Sequence, residues 1–231
     1  MKTRIAINGF GRIGRNLFRL LLNHPTIEVV AINDIADNKT MAHLVKYDSI
    51  HGVLNHKVSF SENSIIIDDK SFLFFHEREI KNLDWKSVNV DIVIESTGKF
   101  KTFEDINQHI LVGAKKVILS APSEVDEIKT VVLGVNEHIL DGSETIISNA
   151  SCTTNNAAPM IKIIQEFCEV EQAYITTIHS YTTDQSLHDQ PHKDLRRARG
   201  AAQSIVPTTT GAAKALTKIF PELEGKIGGC G

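Results

Sequence analysis

A short apolar run, Arg4-Ile5-Ala6-Ile7, leads straight into Asn8-Gly9-Phe10-Gly11-Arg12-Ile13-Gly14-Arg15, after which Ile13, Leu17, Leu20 and Leu21 recur at helical spacing. A strand, G-x-G-x-x-G and a helix in that order leave a chain little freedom. Gly9 permits the tight turn, Gly11 lets a pyrophosphate approach the backbone, and Gly14 lets helix and strand pack closely. The motif alone is common, but its context here is complete. Val29-Val30-Ala31-Ile32 reads as a second strand, and Asp34 stands at its end, twenty residues past Gly14. A carboxylate at that place accepts hydrogen bonds from both ribose hydroxyls of an adenosine and repels a 2′-phosphate. The unit predicts an α/β fold built on a Rossmann-type domain that binds NAD.

Small polar residues follow one strand-like run after another downstream, which is where open α/β sheets bind ligands. Residues 90–95 end in Ser96-Thr97-Gly98, and residues 117–119 end in Ser120-Ala121-Pro122. Residues 131–135 read as a further strand, and residues 39–47 and 102–112 as helices. Between His56 and Phe75, three short runs around Phe60, Ile66 and Phe74 read as hairpins inserted into this domain. The formal net charge of -3 offers no electrostatic case for nucleic acid. Three cysteines in 231 residues do not make a disulfide framework, and no Cys/His spacing suggests a metal. The expectation is a cytoplasmic chain with no signal peptide and no membrane span.

The second constraining stretch is Asn149-Ala150-Ser151-Cys152-Thr153-Thr154-Asn155. Residues 145–148 read as the strand that delivers it. Residues 157–167 read as the helix that follows, with Ala158, Ile161, Ile164 and Phe167 on its apolar side. Unpaired N–H groups and the positive end of the helix dipole collect at such a junction and favour a thiolate, the nucleophilic form of cysteine. A nucleophilic cysteine needs a base placed by the fold, and His179, at the end of a strand read over residues 174–179, is the candidate among ten histidines. Cys168 reads as packing at a helix end, and Cys230 has no reading. The long polar segment 186–203, with Arg196-Arg197-Ala198-Arg199, reads as a functional or interface loop. Residues 212–220 read as a helix stopped by Pro221. These patterns place a domain boundary near Ser151, with a NAD-binding Rossmann domain over residues 1–151 and a second domain, opening on the nucleophile, over residues 152–231.

Taken together, the residues resemble phosphorylating glyceraldehyde-3-phosphate dehydrogenases of the NAD-using type. The resemblance rests on residues 7–15, Asn33-Asp34, Glu95-Ser96-Thr97-Gly98, residues 148–155, His179 to Thr182, residues 191–199 and Thr209-Thr210-Gly211-Ala212-Ala213-Lys214. It implies Cys152 as nucleophile and His179 as the group that activates it. Gly9, Gly11, Arg12, Ile13, Gly14, Asp34, Arg78 and Ser120 fall where that family binds NAD. Ser151, Thr153, Thr182, Arg197, Thr210 and Gly211 fall where it binds the substrate phosphate or inorganic phosphate. The implied partners are a phosphorylated aldose and inorganic phosphate, with a homotetramer as the assembly and glycolysis as the setting. Asn156 stands where many members carry a second cysteine, and the family's chain continues well past Gly231. The resemblance therefore implies a chain truncated at its C-terminus, with residues 152–231 as the first part of an incomplete α+β catalytic domain, and nearly inactive as it stands. Two alternatives share these features: an erythrose-4-phosphate dehydrogenase, and a non-catalytic NAD-binding fragment.

Overall fold

A computed structural model describes residues 2–231. By the contacts within it the chain divides into two compact units. One comprises the residues up to Val131 together with Glu137–Ala150, and the other Val132–Asn136 with Ser151–Gly231.

The first unit is built on a mostly parallel sheet of nine strands. In chain order its regular elements are β1 (Thr3–Asn8), α1 (Arg12–Leu21), β2 (Ile27–Asn33), α2 (Asn38–Lys46), the small antiparallel pair β3 (Tyr47–Asp48) and β4 (Gly52–Val53), β5 (Val58–Ser61), β6 (Ser64–Ile67), β7 (Lys70–Phe75), β8 (Ile92–Glu95), α3 (Phe103–Leu111), β9 (Lys116–Leu119), β10 (Lys129–Thr130) and β11 (Ile146–Ser148). The sheet order is β10-β11-β9-β8-β1-β2-β7-β6-β5. β1 pairs in parallel with β2 on one side and with β8 on the other. The chain therefore reverses its direction of travel across the sheet at β1, and a crevice opens beyond the strand ends at such a switch point. The hairpins expected between residues 56 and 75 do form, and they are continuous with the main sheet, because β7 pairs with β2.

Alternation along β1 explains how both faces are covered. Ile5 and Ile7 enter a core with Phe10, Phe18, Phe72 and Phe74, whereas Ala6 enters a second core with Trp85, Val93, Ile106 and Leu119. In the first core Phe10 meets Phe18 and Phe74 edge to face, at centroid separations of 5.4 and 5.8 Å.

One expected strand is absent. Residues 131–135 form a turn, because Gly134 takes φ 83, Val135 N–H donates to Val132 O, and Asn136 Oδ1 accepts from Val132 N–H. The strand that pairs there is the shorter β10 just before it.

The second unit holds α4 (Cys152–Phe167), β12 (Ala173–Thr176), α5 (Ala212–Thr217) and β13 (Ile227–Cys230), with a single 3-10 turn at Pro221–Leu223. β12 ends three residues before His179, so the expected strand to that histidine is cut short. It pairs in parallel with β13, a partner the Gly228-Gly229 sequence did not suggest. α5 is also shorter than expected. The segment between Thr176 and Ala212 carries turns but no helix or strand, as its polar composition indicates.

α4 begins five residues before the expected start. Thr153, Thr154, Asn155 and Asn156 are poor helix formers and Pro159 lacks an N–H, so the pattern alone starts the helix at Ala157. The Ser151 Oγ accepts from Thr154 N–H at 3.1 Å and caps the helix ahead of them. Of the apolar face, Ala158 and Ile161 are buried, while Ile164 is 49% and Phe167 86% exposed. Cys168 is exposed as well, which overturns its reading as packing. No helix among the described residues is long and apolar enough to cross a membrane.

Candidate active site

β1, β2 and β8 end on one crevice, whose cavity of ≈ 350 Å³ is lined by residues that include Asn8, Gly9, Gly11, Asp34, Arg78 and Thr97. The three glycines of the motif do different work here. Gly9 takes φ 91, and a Cβ on it would sit 2.6 Å from Thr97 N. A Cβ on Gly14 would meet Gly9 O at 2.2 Å, so helix and loop touch through backbone. A Cβ on Gly11 would meet nothing within 4 Å, which leaves its backbone open to a ligand. Asp34 braces the same loop, with Oδ2 accepting from Phe10 N–H at 2.7 Å and Oδ1 from Ala36 N–H at 3.0 Å. A backbone bare at a helix N-terminus beside a carboxylate at the end of β2 fits a pyrophosphate and an adenosine ribose, so the residues present fit NAD.

Arg12, Ile13 and Ser120 lie outside this lining. Ile13 is exposed, and Ser120 donates its N–H to Glu95 O at 2.9 Å. The guanidinium of Arg12 grips Asp48 with two bonds, of 2.7 and 3.1 Å. Those bonds, joined by the N–H groups of His51 and Ile50, hold the Asp48 carboxyl well below the usual carboxylate range. A carboxyl depressed in the folded state contributes stability above its unfolded value, and that stability is lost as pH falls through the folded value. Asp48→Asn is therefore expected to lower the melting temperature at pH 7, with the gap to the unaltered chain shrinking as pH drops from about 5 towards 2. Melting curves recorded by circular dichroism across that range check this, and a gap independent of pH would count against it.

The second unit brings the candidate nucleophile, Cys152, and its expected partner, His179, together. Cys152 is the first residue of α4, and its Sγ lies 3.1 Å from His179 Nε2. His179 Nδ1 is 2.6 Å from Ser180 O. A carbonyl oxygen only accepts, so Nδ1 holds the ring proton and Nε2 is left to take the thiol's. The local backbone makes this junction possible: Ala150, at φ 56, adopts a left-handed conformation between β11 and the cap Ser151. Nothing in the local sequence signals that turn. Cys152, Thr153, Asn156, Met160, His179 and Ser180 are among the residues around a second cavity, of ≈ 390 Å³.

The residues expected to hold phosphate are only partly collected. Ser151 Oγ is 2.9 Å from Thr153 Oγ1, on either side of Cys152 in the chain. Arg197 donates to Asp184 Oδ2 and, at 3.4 Å, to Thr209 O, which ties it to the segment carrying Thr210 and Gly211. Thr210 Oγ1 accepts from Ala212 N–H at the start of α5. Thr182 is exposed and donates its N–H to Gln185 Oε1 at 2.8 Å. Among the described residues no group of three or more His, Cys, Asp or Glu could hold a metal ion.

Comparison with known proteins bears on both halves of the chain. Residues 3–103 match the family profile described as glyceraldehyde 3-phosphate dehydrogenase, NAD binding domain, and residues 151–231 match the profile of its C-terminal domain. The chain is 53% identical over 230 residues to a glyceraldehyde-3-phosphate dehydrogenase of Geobacillus stearothermophilus, covering 99% of this chain and 68% of that one. It is 51% identical over 233 residues to the Borreliella burgdorferi protein of the same name, covering 98% and 68%. It is 53% identical over 218 residues to the one from Thermotoga maritima, covering 94% and 65%. With a nucleotide crevice in one unit, a paired cysteine and histidine in the other, and both profiles matched in order, the chain belongs to the glyceraldehyde-3-phosphate dehydrogenase family.

Proposed function

We propose that Cys152 and His179 carry the chemistry of an NAD-dependent glyceraldehyde-3-phosphate dehydrogenase, the glycolytic oxidoreductase that the family membership indicates. The observation that carries the reading is the 3.1 Å contact between Cys152 Sγ and His179 Nε2 at the first turn of α4. His179 takes the thiol proton, the thiolate attacks the aldehyde carbon, and His179 returns the proton to the resulting oxyanion to complete a hemithioacetal. His179 then accepts the proton of the hemithioacetal hydroxyl as the carbon is oxidised to a thioester. Bound NAD supplies the hydride acceptor for that oxidation. Inorganic phosphate attacks the thioester carbon, the Cys152 thiolate leaves, and an acyl phosphate is released. The Cys152 N–H and the His179 ring are the donors offered to the oxyanions formed on the way. Ser151, Thr153, Thr182, Arg197, Thr210 and Gly211 supply the phosphate contacts, which requires Arg197 to exchange Asp184 for the anion. Residues 1–151 serve as the NAD-binding domain and residues 152–231 as part of the catalytic domain of a homotetramer. Neither erythrose 4-phosphate as substrate nor a purely binding role has an observation that favours it.

Gly9, Gly11, Gly14, Asp34 and Arg78 hold the cofactor in this reading, with Arg12, Ile13 and Ser120 at its margin. Asp34 makes the choice of cofactor testable. A 2′-phosphate beside a carboxylate costs several kcal/mol, so NAD is expected to bind at least about tenfold more tightly than NADP. Asp34→Asn keeps an acceptor for Phe10 N–H, removes the charge, and narrows the ratio to below about threefold. Calorimetric titration with both nucleotides measures it. Equal or reversed affinity in the unaltered chain would sink the assignment of Asp34.

A further inference from the structure

Beneath the dinucleotide pocket lies a chain of buried polar groups whose mutual contacts the sequence does not display. Glu95 and His109 are fully buried, and Asn8 and Asn33 nearly so. Trp85 Nε1 donates to His109 Nδ1 at 2.9 Å. An indole N–H can only donate, so Nδ1 accepts, the ring proton sits on Nε2, and Nε2 donates to Glu95 Oε2 at 3.1 Å. Asn8 Nδ2 donates to the same oxygen at 2.5 Å. Thr97 gives both its N–H and its hydroxyl to Oε1, at 2.8 and 2.5 Å. Each oxygen of Glu95 thus receives two donors, so both oxygens serve as acceptors.

The chain of orientation continues upward from there. Asn8 Oδ1, opposite the amide nitrogen that Glu95 has claimed, accepts from Asn33 Nδ2 at 2.7 Å. Asn33 then clasps the backbone of Glu77 from both sides, Oδ1 accepting its N–H at 2.8 Å and Nδ2 donating to its O at 2.9 Å. Asn8, Asn33, Glu77, Arg78 and Thr97 all line the pocket, whereas Glu95, His109 and Trp85 do not.

We propose that Glu95 is a positioning residue of the dinucleotide pocket. An asparagine amide can be seated in either of two orientations, and a neighbour that only accepts admits one of them. The buried carboxylate orients Asn8, Asn8 orients Asn33, and Asn33 anchors the segment that carries Arg78. Trp85, through His109, keeps the donor side of the network facing Glu95. The proposal rests on the reading of this pocket as the NAD site.

Glu95→Gln is the informative change, because an amide nitrogen in place of either oxygen faces two donors. At the Oε1 place it meets the Thr97 backbone N–H, which cannot turn away. At the Oε2 place it meets His109 Nε2–H, which cannot yield its proton while Nδ1 accepts from Trp85, and it forces Asn8 to turn over. Asn8 then presents its nitrogen to the nitrogen of Asn33, and the error is passed on to Glu77. Leaving such groups unmatched is expected to raise the Kd for NAD about tenfold or more, read by calorimetry on folded protein. Trp85→Phe removes the far donor but leaves Glu95 its bonds to Asn8 and Thr97. It is expected to lower the melting temperature while the Kd for NAD stays within about threefold. If Glu95 serves stability alone, both variants melt earlier and both keep their affinity for NAD, and the proposal is overturned. A measurement on the unaltered chain stands independently of whether the variant folds. The side-chain amide protons of Asn8 and Asn33 should exchange slowly before NAD is added, and fast exchange there overturns the proposal too. An unaltered chain that fails to bind NAD overturns the pocket reading and the proposal with it. A chain that binds NAD equally well with Gln at position 95 overturns the proposal alone.

Discussion

Iodoacetamide near neutral pH is expected to label Cys152 first among the three thiols. Exposure alone does not predict this order. Cys168 is exposed like Cys152, and Cys230 is half-buried, so reagent reaches more than one of them. The difference is chemical. Cys152 has His179 Nε2 at 3.1 Å and stands at the first position of a helix sixteen residues long, whereas Cys168 Sγ faces only the carbonyl of Ile164. An unassisted cysteine is only a few per cent thiolate at pH 7. His179→Ala should therefore slow labelling of Cys152 by about tenfold and leave Cys168 unaffected. Peptide mapping by mass spectrometry reads all three sites in one experiment, with Cys168 as the internal control. Faster labelling of Cys168 or Cys230, or a Cys152 rate indifferent to His179, would contradict the pairing.

Gly14→Ala is expected to cost about 3 kcal/mol of stability and to reduce NAD binding about 100-fold. The added carbon would lie 2.2 Å from Gly9 O and 3.0 Å from Ile7 Cγ2. Neither neighbour can give way easily. Gly9 is fixed by its N–H bond to Asn33 O, and its own oxygen accepts from Ser96 Oγ at 2.7 Å. Ile7 is fully buried in the central strand. α1 would have to lift off the sheet, and the loop proposed to cradle the pyrophosphate would move with it. Gly11→Ala is the control, since its Cβ meets no protein atom within 4 Å. It should leave stability within about 0.5 kcal/mol and still impair NAD binding, because the methyl occupies space the ligand needs. Chemical denaturation and calorimetry on the two variants separate the effects. Equal stability of the two would mean that helix and loop are less tightly joined than the geometry indicates.

The residues announced a good deal of this on their own. Glycines at positions 9, 11 and 14 between a strand and a helix admit few backbone paths, and Asp34 at the next strand end completes a local unit. Such short-range constraints are legible because neighbours in sequence impose them. The same holds for Cys152 at the junction before α4, although the helix start was misplaced. Ser151 accepts a capping hydrogen bond from Thr154 N–H at a start that the poor helix formers and Pro159 conceal, and no periodicity displays that. The strand expected over residues 131–135 failed for a similar reason: Val132 and Asn136 satisfied each other in a turn instead of pairing with the sheet.

What only the tertiary structure decided is whatever depends on residues far apart in the chain. The contact of Cys152 with His179 spans 27 residues, and that of Asn8 with Glu95 spans 87. Glu95 stands at the end of a readable strand and His109 inside a readable helix, but nothing local ties either of them to Trp85, or Asp48 to Arg12. Their roles arise because the sheet carries them into one low-dielectric interior, where a buried donor or acceptor must find its complement or cost free energy. Sequence spacing sets the local path of the backbone. Which polar groups then have to satisfy one another is settled by the packing that removes water from around them.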